Sequence, residues 1–400
     1  MERVDVLVVG GGPAGAATAI RVARAGRTVV LAERAPAWRW RACGVFTSPA
    51  AVSALRGLGV EGPSLERVAR RVPAMRVETP SLTTFRLTYG DDGSLAHAAV
   101  GLDRSALDPL LLELARTAGA DVRLGVAVPS VAVAGGPDGR IRLASDELEA
   151  RVVVGADGLR SLVARSARVV APPPLGKRAA LTFHVEDPAP NEPRDARMIV
   201  FAGGYAGLAP VPGGRVNVGI VLAGRAWRDR LRAEGADAVA HAVMGTIPAA
   251  ADDPVDWARP RITDRIEGVA PVGARVSRRA GDGWLLVGDA AGFLDPFTGE
   301  GLHRALVSAE LAAAAVDRHL AGDAGALPAY ERALARRTRT KDLVSRVVQG
   351  FLAVPPAFDY AARRLAARPA VRETMGLVMG DLVPARTALD PRFLAALLRP

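Results

Sequence analysis

The chain has 400 residues, half of them hydrophobic, which is enough to bury a sizeable core and argues against disorder. Its formal charge of +10 arises from 52 basic against 42 acidic residues, and since Lys177 and Lys341 are the only lysines, the charge is carried by arginine. Those arginines are scattered among alanines and acids without interleaved aromatic residues, which excludes a nucleic-acid surface, and the single cysteine, Cys43, excludes an internal disulfide.

Residues 4–9 form a short apolar run that ends in glycines, residues 14–25 carry a small-residue helical pattern, and residues 28–32 read as a second strand. A strand, a glycine turn, a helix and a strand within about 30 residues make a βαβ unit. Its turn, Gly10-Gly11-Gly12-Pro13-Ala14-Gly15, satisfies G-x-G-x-x-G, in which backbone N–H groups and a helix N-terminus face a diphosphate. Gly10 makes the tight turn, Gly12 permits close approach, and Gly15 packs the helix on the strand. Glu33, at the end of the second strand and followed by Arg34, is positioned to accept hydrogen bonds from an adenosine ribose. This turn alone serves NAD and FAD equally.

A helix over 106–118 leads into short strands at 121–126, 130–134 and 141–144, with 135–139 as a turn; together they form a meander beside the first unit. Residues 151–154 are a buried strand running into Gly155-Ala156-Asp157-Gly158. From about 180 to 268 the texture changes to alternating strands, such as 197–201 and 215–221, with a helix near 225–234, which indicates a second domain on an antiparallel sheet. A strand at 284–287 then resumes the first domain. It is followed by Gly288-Asp289-Ala290-Ala291-Gly292, by Asp295-Pro296-Phe297-Thr298-Gly299-Glu300-Gly301, and by an alanine-rich helix over 301–320. The helix N-terminus offers amides to an electron-rich atom, and Gly299 and Gly301 let backbone approach a flat ring. From 329 on, the pattern is of helices broken by Pro355, Pro356, Pro369, Pro384 and Pro391.

These stretches together resemble the flavoprotein monooxygenases of the p-hydroxybenzoate hydroxylase fold and the related geranylgeranyl reductases, over roughly residues 1–320. The resemblance implies an α/β fold in which a discontinuous Rossmann-type FAD-binding domain (1–75, 98–175 and 270–328) is interleaved with an antiparallel-sheet substrate domain (76–97 and 176–269) and followed by a helical C-terminal region (329–400). It implies FAD as cofactor, held by Gly10, Gly12, Pro13, Ala14, Gly15, Glu33 and Arg34, with Val126 also at the nucleotide. Gly288 and Asp289 would meet a ribityl or ribose hydroxyl, and Pro296, Gly299, Gly301 and Leu302 would lie by the isoalloxazine. Asp157 and Gly158 match an Asp-Gly motif that serves both FAD and NAD(P)H. In the segment 39–45, similar to one that carries a diphosphate-binding arginine, Arg41 takes that place beside Cys43 and Gly44, and Arg104 resembles the arginine that opens the helix beside the flavin.

Cys43-Gly44 followed by Ser48-Pro49 is similar to the reductase branch, as is the run from Gly204 to Pro210 followed by Gly214 to Gly219. Two departures weaken that branch: Gly207 stands where a tryptophan is usual, and Val45-Phe46-Thr47 replaces a glycine-rich run. The same outline occurs in flavin hydroxylases of phenolic or polyketide-like compounds, in which NAD(P)H reduces the flavin and dioxygen supplies the oxygen atom. An NAD(P)H-dependent monooxygenase of an apolar aromatic molecule is therefore ranked ahead of a carbon–carbon double-bond reductase of a prenyl or other lipid, with a non-catalytic dinucleotide-binding protein as the alternative of another class. The catalytic candidates are Cys43, as proton donor or pocket wall, and Tyr205, as a hydrogen-bond partner of substrate, whereas His303 reads as helix packing. No residue spacing suggests a metal site or a hydrolase elbow. No run approaches the ~20 apolar residues of a spanning helix, and the start leads directly into a strand rather than a signal segment. The expected location is thus cytoplasmic, with peripheral membrane contact through basic C-terminal helices as a second option. The expected partner is an apolar small molecule, and the expected assembly is a monomer or homodimer.

Overall fold

The computed structural model describes residues 2–41, 43–90, 92–131, 141–142 (backbone), 148–250 and 252–399. Of the expected meander, residues 132–140, with its turn, and 143–147 lie outside the described residues; Ile141–Arg142 pairs antiparallel with Leu148–Gly155.

The first sheet is built around Glu2–Val9, whose apolar residues are buried on both faces, as a central parallel strand requires. It pairs in parallel with Val29–Glu33 on one side and Leu148–Gly155 on the other; Asp121–Leu124 extends the first edge, and Trp284–Leu286, then the short antiparallel Ala280–Gly281, extend the second. Because the long pairs are parallel, the strands from four distant parts of the chain end on one edge, where ligands of open α/β sheets bind. Helices Pro13–Arg24 and Gly301–Leu320 pack against each other. Both are rich in buried alanine, Ala16, Ala17 and Ala19 on one and Ala305, Ala309 and Ala312 on the other, all within one hydrophobic core.

The second sheet runs Glu267–Val269, Ala179–Glu186, Arg215–Leu222, Gly204–Val211, Ala196–Phe201, Ala74–Glu78, Thr84–Thr88. Its pairs are antiparallel except that Ala196–Phe201 meets Ala74–Glu78 in parallel, so residues from before and after the first domain's middle segment share one sheet. Strand alternation divides it cleanly. Phe183, Ala206, Leu208, Val218 and Ile220 face a core under helix Arg225–Met244, while Met198, Tyr205, Ala209 and Val221 face a separate core on the other side. The expected helix over 225–234 is the first half of Arg225–Met244; Gly235, at φ 85°, breaks its geometry. A small antiparallel sheet of Phe46–Thr47, Ala99–Leu102 and Ala69–Val72 joins the domains. There a Cβ on Gly101 would stand 1.9 Å from the Pro210 carbonyl, so only glycine lets the two strands touch.

The C-terminal helices are broken at the prolines, as expected, and most of these prolines also open the helix that follows. Pro355, Pro369 and Pro391 each open a helix, Pro355–Ala367, Pro369–Met379 and Pro391–Leu398, where a missing N–H costs nothing, and Pro384 precedes the short turn Ala385–Leu389. The long helix Ala326–Ala353 packs on Gly301–Leu320, and the next two helices pack on Thr84–Thr88, bringing Phe358, Leu365 and Val378 into one core with Met75 and Tyr205. Among the described residues no helix is long and apolar enough to cross a membrane.

Candidate functional site

Three glycine turns meet at the strand ends of the first sheet. A Cβ on Gly10, where φ is 106°, would lie 2.6 Å from the Ala156 carbonyl, and one on Gly15 would lie 1.9 Å from the Gly10 carbonyl. A Cβ on Gly288 would lie 2.8 Å from that of Ala14. The turns of Gly10, Asp157 and Asp289 are thus packed against one another as closely as backbone allows. Gly12, in contrast, has no atom within 4 Å of a Cβ position, so the outer side of its turn is open. It precedes Pro13–Arg24 without a side-chain cap, which leaves first-turn amides such as those of Ala14 and Gly15 free of intrahelical acceptors. That combination suits an anion of diphosphate size.

The polar groups around the opening are deliberately placed. Glu33 is buried, and its carboxylate accepts from the Gly11 N–H at 2.7 Å and the Ala35 N–H at 3.0 Å, with Arg41 at 3.9 Å. Asp157 accepts from the Leu162 N–H through Oδ2, while its Oδ1 is buried with no protein partner, a group that a ligand donor would satisfy. Arg104 opens helix Arg104–Thr117, clasps Asp108 through two bonds of 2.7 and 2.9 Å, and reaches the Gly44 carbonyl at 3.3 Å. Asp289 lies in the same recess: burial raises its pKa to about 6 against the pull of Arg104 and Arg304. Burial likewise pushes the Cys43 thiol above its ordinary value, opposed by Arg104. Gly299, in the left-handed region at φ 67°, brings its backbone against Phe46, and Gly301 begins the next helix two residues on, followed by the half-buried Leu302. Open turn, orphaned carboxylate oxygen and paired acid–arginine recess fit the diphosphate, sugar and ring of a flavin dinucleotide.

Between these turns and the second sheet lies an open-mouthed recess with a mostly apolar lining. Cys43, Gly44, Asp289, Pro296 and Gly299 line one side; Met198, Tyr205, Gly207 and Gly219 line the other. Gly207 and Gly219 are cross-strand partners, so the sheet has no side chain at its floor there. A concave, mostly apolar recess with a few polar groups is where small molecules bind.

Other expected site residues sit differently. The Arg34 side chain is exposed, Gly44 and Arg41 are at the rim, and Val126, 42% exposed, donates its N–H to the Glu33 carbonyl at 3.0 Å. Gly158 takes φ 75° and has open space at its Cβ position. Tyr205 corrects an expectation: its hydroxyl donates to Asp295 Oδ1 at 2.5 Å, and burial together with Asp295 raises its pKa, so its proton is directed away from a substrate and its ring, edge-on to Phe297, serves as wall. Asp295 also takes Arg178 and Gln349, each at 2.8 Å, tying the second sheet and the long C-terminal helix to this turn. His303 is more than packing: its Nδ1 lies 2.9 Å from Asp381, which also accepts from Lys341 at 2.8 Å. Burial opposes the Asp381 charge, but those partners hold its pKa down to about 2. Gln349, Lys341 and Asp381 gave no sequence signal, because their partners are up to 333 residues away; Asp295 stood in a recognised run, and only its bonding was hidden.

Residues 3–346 match the model of an FAD binding domain. Over 330 residues the chain is 29% identical to a menaquinone reductase of Mycolicibacterium smegmatis, covering 78% of this chain and 76% of that one. It is 31% identical over 330 residues to digeranylgeranylglycerophospholipid reductase 2 of Methanopyrus kandleri, covering 77% and 75%. A geranylgeranyl bacteriochlorophyll reductase-like protein of Thermoplasma acidophilum superposes over 99% of both chains with a TM-score of 0.77 at 24% identity, sharing the fold. With the family model spanning most of the chain, this protein belongs to the FAD binding domain family and is an FAD-dependent oxidoreductase of the p-hydroxybenzoate hydroxylase-like fold.

Proposed function

We propose that the protein reduces a carbon–carbon double bond of a prenyl or other apolar lipid, drawing electrons from NAD(P)H. The carrying observation is the apolar cavity floored by Gly207 and Gly219 and faced by Cys43. The glycine that replaces the usual tryptophan, read from sequence as a sign against a lipid site, widens it. The names of the two relatives support reduction better than the monooxygenase ranked first from the motifs.

In this reading Gly10 to Gly15, Glu33, Arg41 and Asp157 would hold the diphosphate and adenosine of FAD, Arg104 and Asp289 its ribityl side, and Pro296, Gly299 and Gly301 its ring. Bound and reduced, FAD supplies a hydride equivalent. Cys43 keeps its proton on Sγ at neutral pH, since burial raises its pKa, and from the cavity wall would give it to the second carbon. The apolar walls exclude water from the reacting atoms.

Anaerobic incubation of the FAD-loaded, dithionite-reduced protein with geranylgeranyl lipids and menaquinone, followed by mass spectrometry, tests this: a product heavier by two hydrogens is expected. A product gained only in air and heavier by one oxygen would establish the monooxygenase instead. Cys43→Ser should lower turnover by about 10²-fold, the usual worth of a general acid, while leaving the flavin spectrum in place.

A further inference from the structure

The cavity has one polar end, and neither the cofactor nor the proposed proton transfer uses it. Asn217 and Thr182, on neighbouring strands of the second sheet, are 5% and 4% exposed and both line the cavity. Behind them His184 is 2% exposed; its Nδ1 is 2.6 Å from Asp264 Oδ2, and its backbone N–H donates to Asp264 Oδ1 at 2.7 Å. Trp40 lies against the imidazole with ring centroids 4.5 Å apart and planes tilted by 49°, and it donates its Nε1–H to the Thr182 carbonyl at 3.4 Å.

This surround orients the amide. Asn217 Nδ2 lies 3.2 Å from Thr182 Oγ1 and 3.3 Å from the Phe183 carbonyl, both acceptors for it, and 3.4 Å from His184 Nε2, which is bare when the carboxylate of Asp264 takes the Nδ1 proton. The nitrogen therefore faces the sheet, and among the described residues nothing donates to Asn217 Oδ1. Thr182 Oγ1, already accepting, has its own proton left to give. An acceptor and a donor, carried by two buried side chains, stand side by side in an otherwise apolar wall and are open to a ligand group that matches both. A hydroxyl group does both at once; a carbonyl or an ether only accepts.

We propose that Asn217 and Thr182, positioned by the Asp264–His184 pair and Trp40, anchor a hydroxyl group carried by the hydrocarbon ligand. The anchor rests on the apolar-lipid reading above for the rest of that ligand.

Binding to the FAD-loaded protein, read from perturbation of the flavin spectrum, tests it with two matched pairs: farnesol against farnesene for an aliphatic alcohol, and 2-naphthol against naphthalene for a phenol. The wild type should prefer the hydroxylated member of at least one pair by about tenfold, the size of one net hydrogen bond, and the pair that shows it names the source of the hydroxyl. Asn217→Leu should bring that ratio to about one with hydrocarbon affinity retained, and the near-isosteric Thr182→Val should lower it. A wild type with no preference in either pair, or a preference that survives both substitutions, overturns the anchor while hydrocarbon binding keeps the lipid reading alive. Binding of none of the four probes removes the lipid reading and the anchor with it.

Discussion

The strand-end turns of the first sheet and the cavity floor on the second use glycine for opposite reasons. At the strand ends of the first, Gly10, Gly15, Gly155 and Gly288 are pressed so closely that a Cβ would lie 1.9 to 2.8 Å from a neighbouring atom. In the second, a Cβ on Gly207 would find nothing nearer than the flexible end of Met198 at 3.4 Å, and one on Gly219 nothing nearer than a carbonyl at 3.8 Å. The first set lets the turns and the elements beside them pack with no side chain between; the second leaves a stretch of wall without side chains. Where strand ends and helix meet behind the cofactor turns glycine is sterically compelled, and at the cavity floor it is not.

The largest test of this contrast is Gly15→Ala. Its methyl has no room beside the Gly10 carbonyl, so helix and strand must separate, at a cost of about 3 kcal/mol or more, with loss of FAD. Thermal melts of apo and FAD-loaded protein measure both effects. A variant that melts with the wild type and stays yellow would show that the turn tolerates side chains and that the contrast is false.

That asymmetry also explains what could be read from the sequence. The glycine turns are local: Gly10 to Gly15 and Asp289 stand in short runs whose geometry follows from the strand before and the helix after, and the structure brings those runs together. The floor of the cavity is made by register. Gly207 meets Gly219 only because two strands pair at one offset, and Asn217 meets His184 for the same reason. Nothing in the order of residues announces a hydroxyl whose partner is 90 positions away, as for Tyr205 and Asp295. The prolines after residue 350 were legible because their effect is local: proline cannot continue one helix and suits the first turn of the next, so each marks a boundary.

A middle-sized effect is expected at Asp289, where the cofactor side has given up stability. Its carboxyl titrates near its ordinary 3.8 when unfolded and at about 6 when folded, because burial disfavours the charge more than Arg104 and Arg304 favour it. The native form therefore holds the proton more tightly: the penalty is absent below pH 4, grows between pH 4 and 6, and is complete above. Asp289→Asn should make the apo-protein more stable at pH 8 by up to about 3 kcal/mol with little change at pH 4, and should weaken FAD retention on dialysis. Equal apo-protein melts of variant and wild type at pH 8 would mean that the acid is not penalised there.

The smallest expected change in stability is at Gly207→Leu, and it sharpens the contrast most. Its Cβ would meet only the Met198 methyl, which can swing aside, and the branched chain would then extend over the sheet floor toward Cys43 and Gly299 on the opposite wall. The melting curve and the flavin content should stay close to the wild type, within about 1 kcal/mol, because no backbone contact depends on this glycine. Binding of farnesene, read from the flavin spectrum, should be lost, since the added side chain occupies the volume that a hydrocarbon needs. Gly15→Ala would thus remove the cofactor by unseating the fold, and Gly207→Leu would remove the ligand while leaving the fold alone. A Gly207→Leu protein that unfolds would place this glycine with the compelled ones, and one that still binds farnesene would show that the hydrocarbon passes elsewhere.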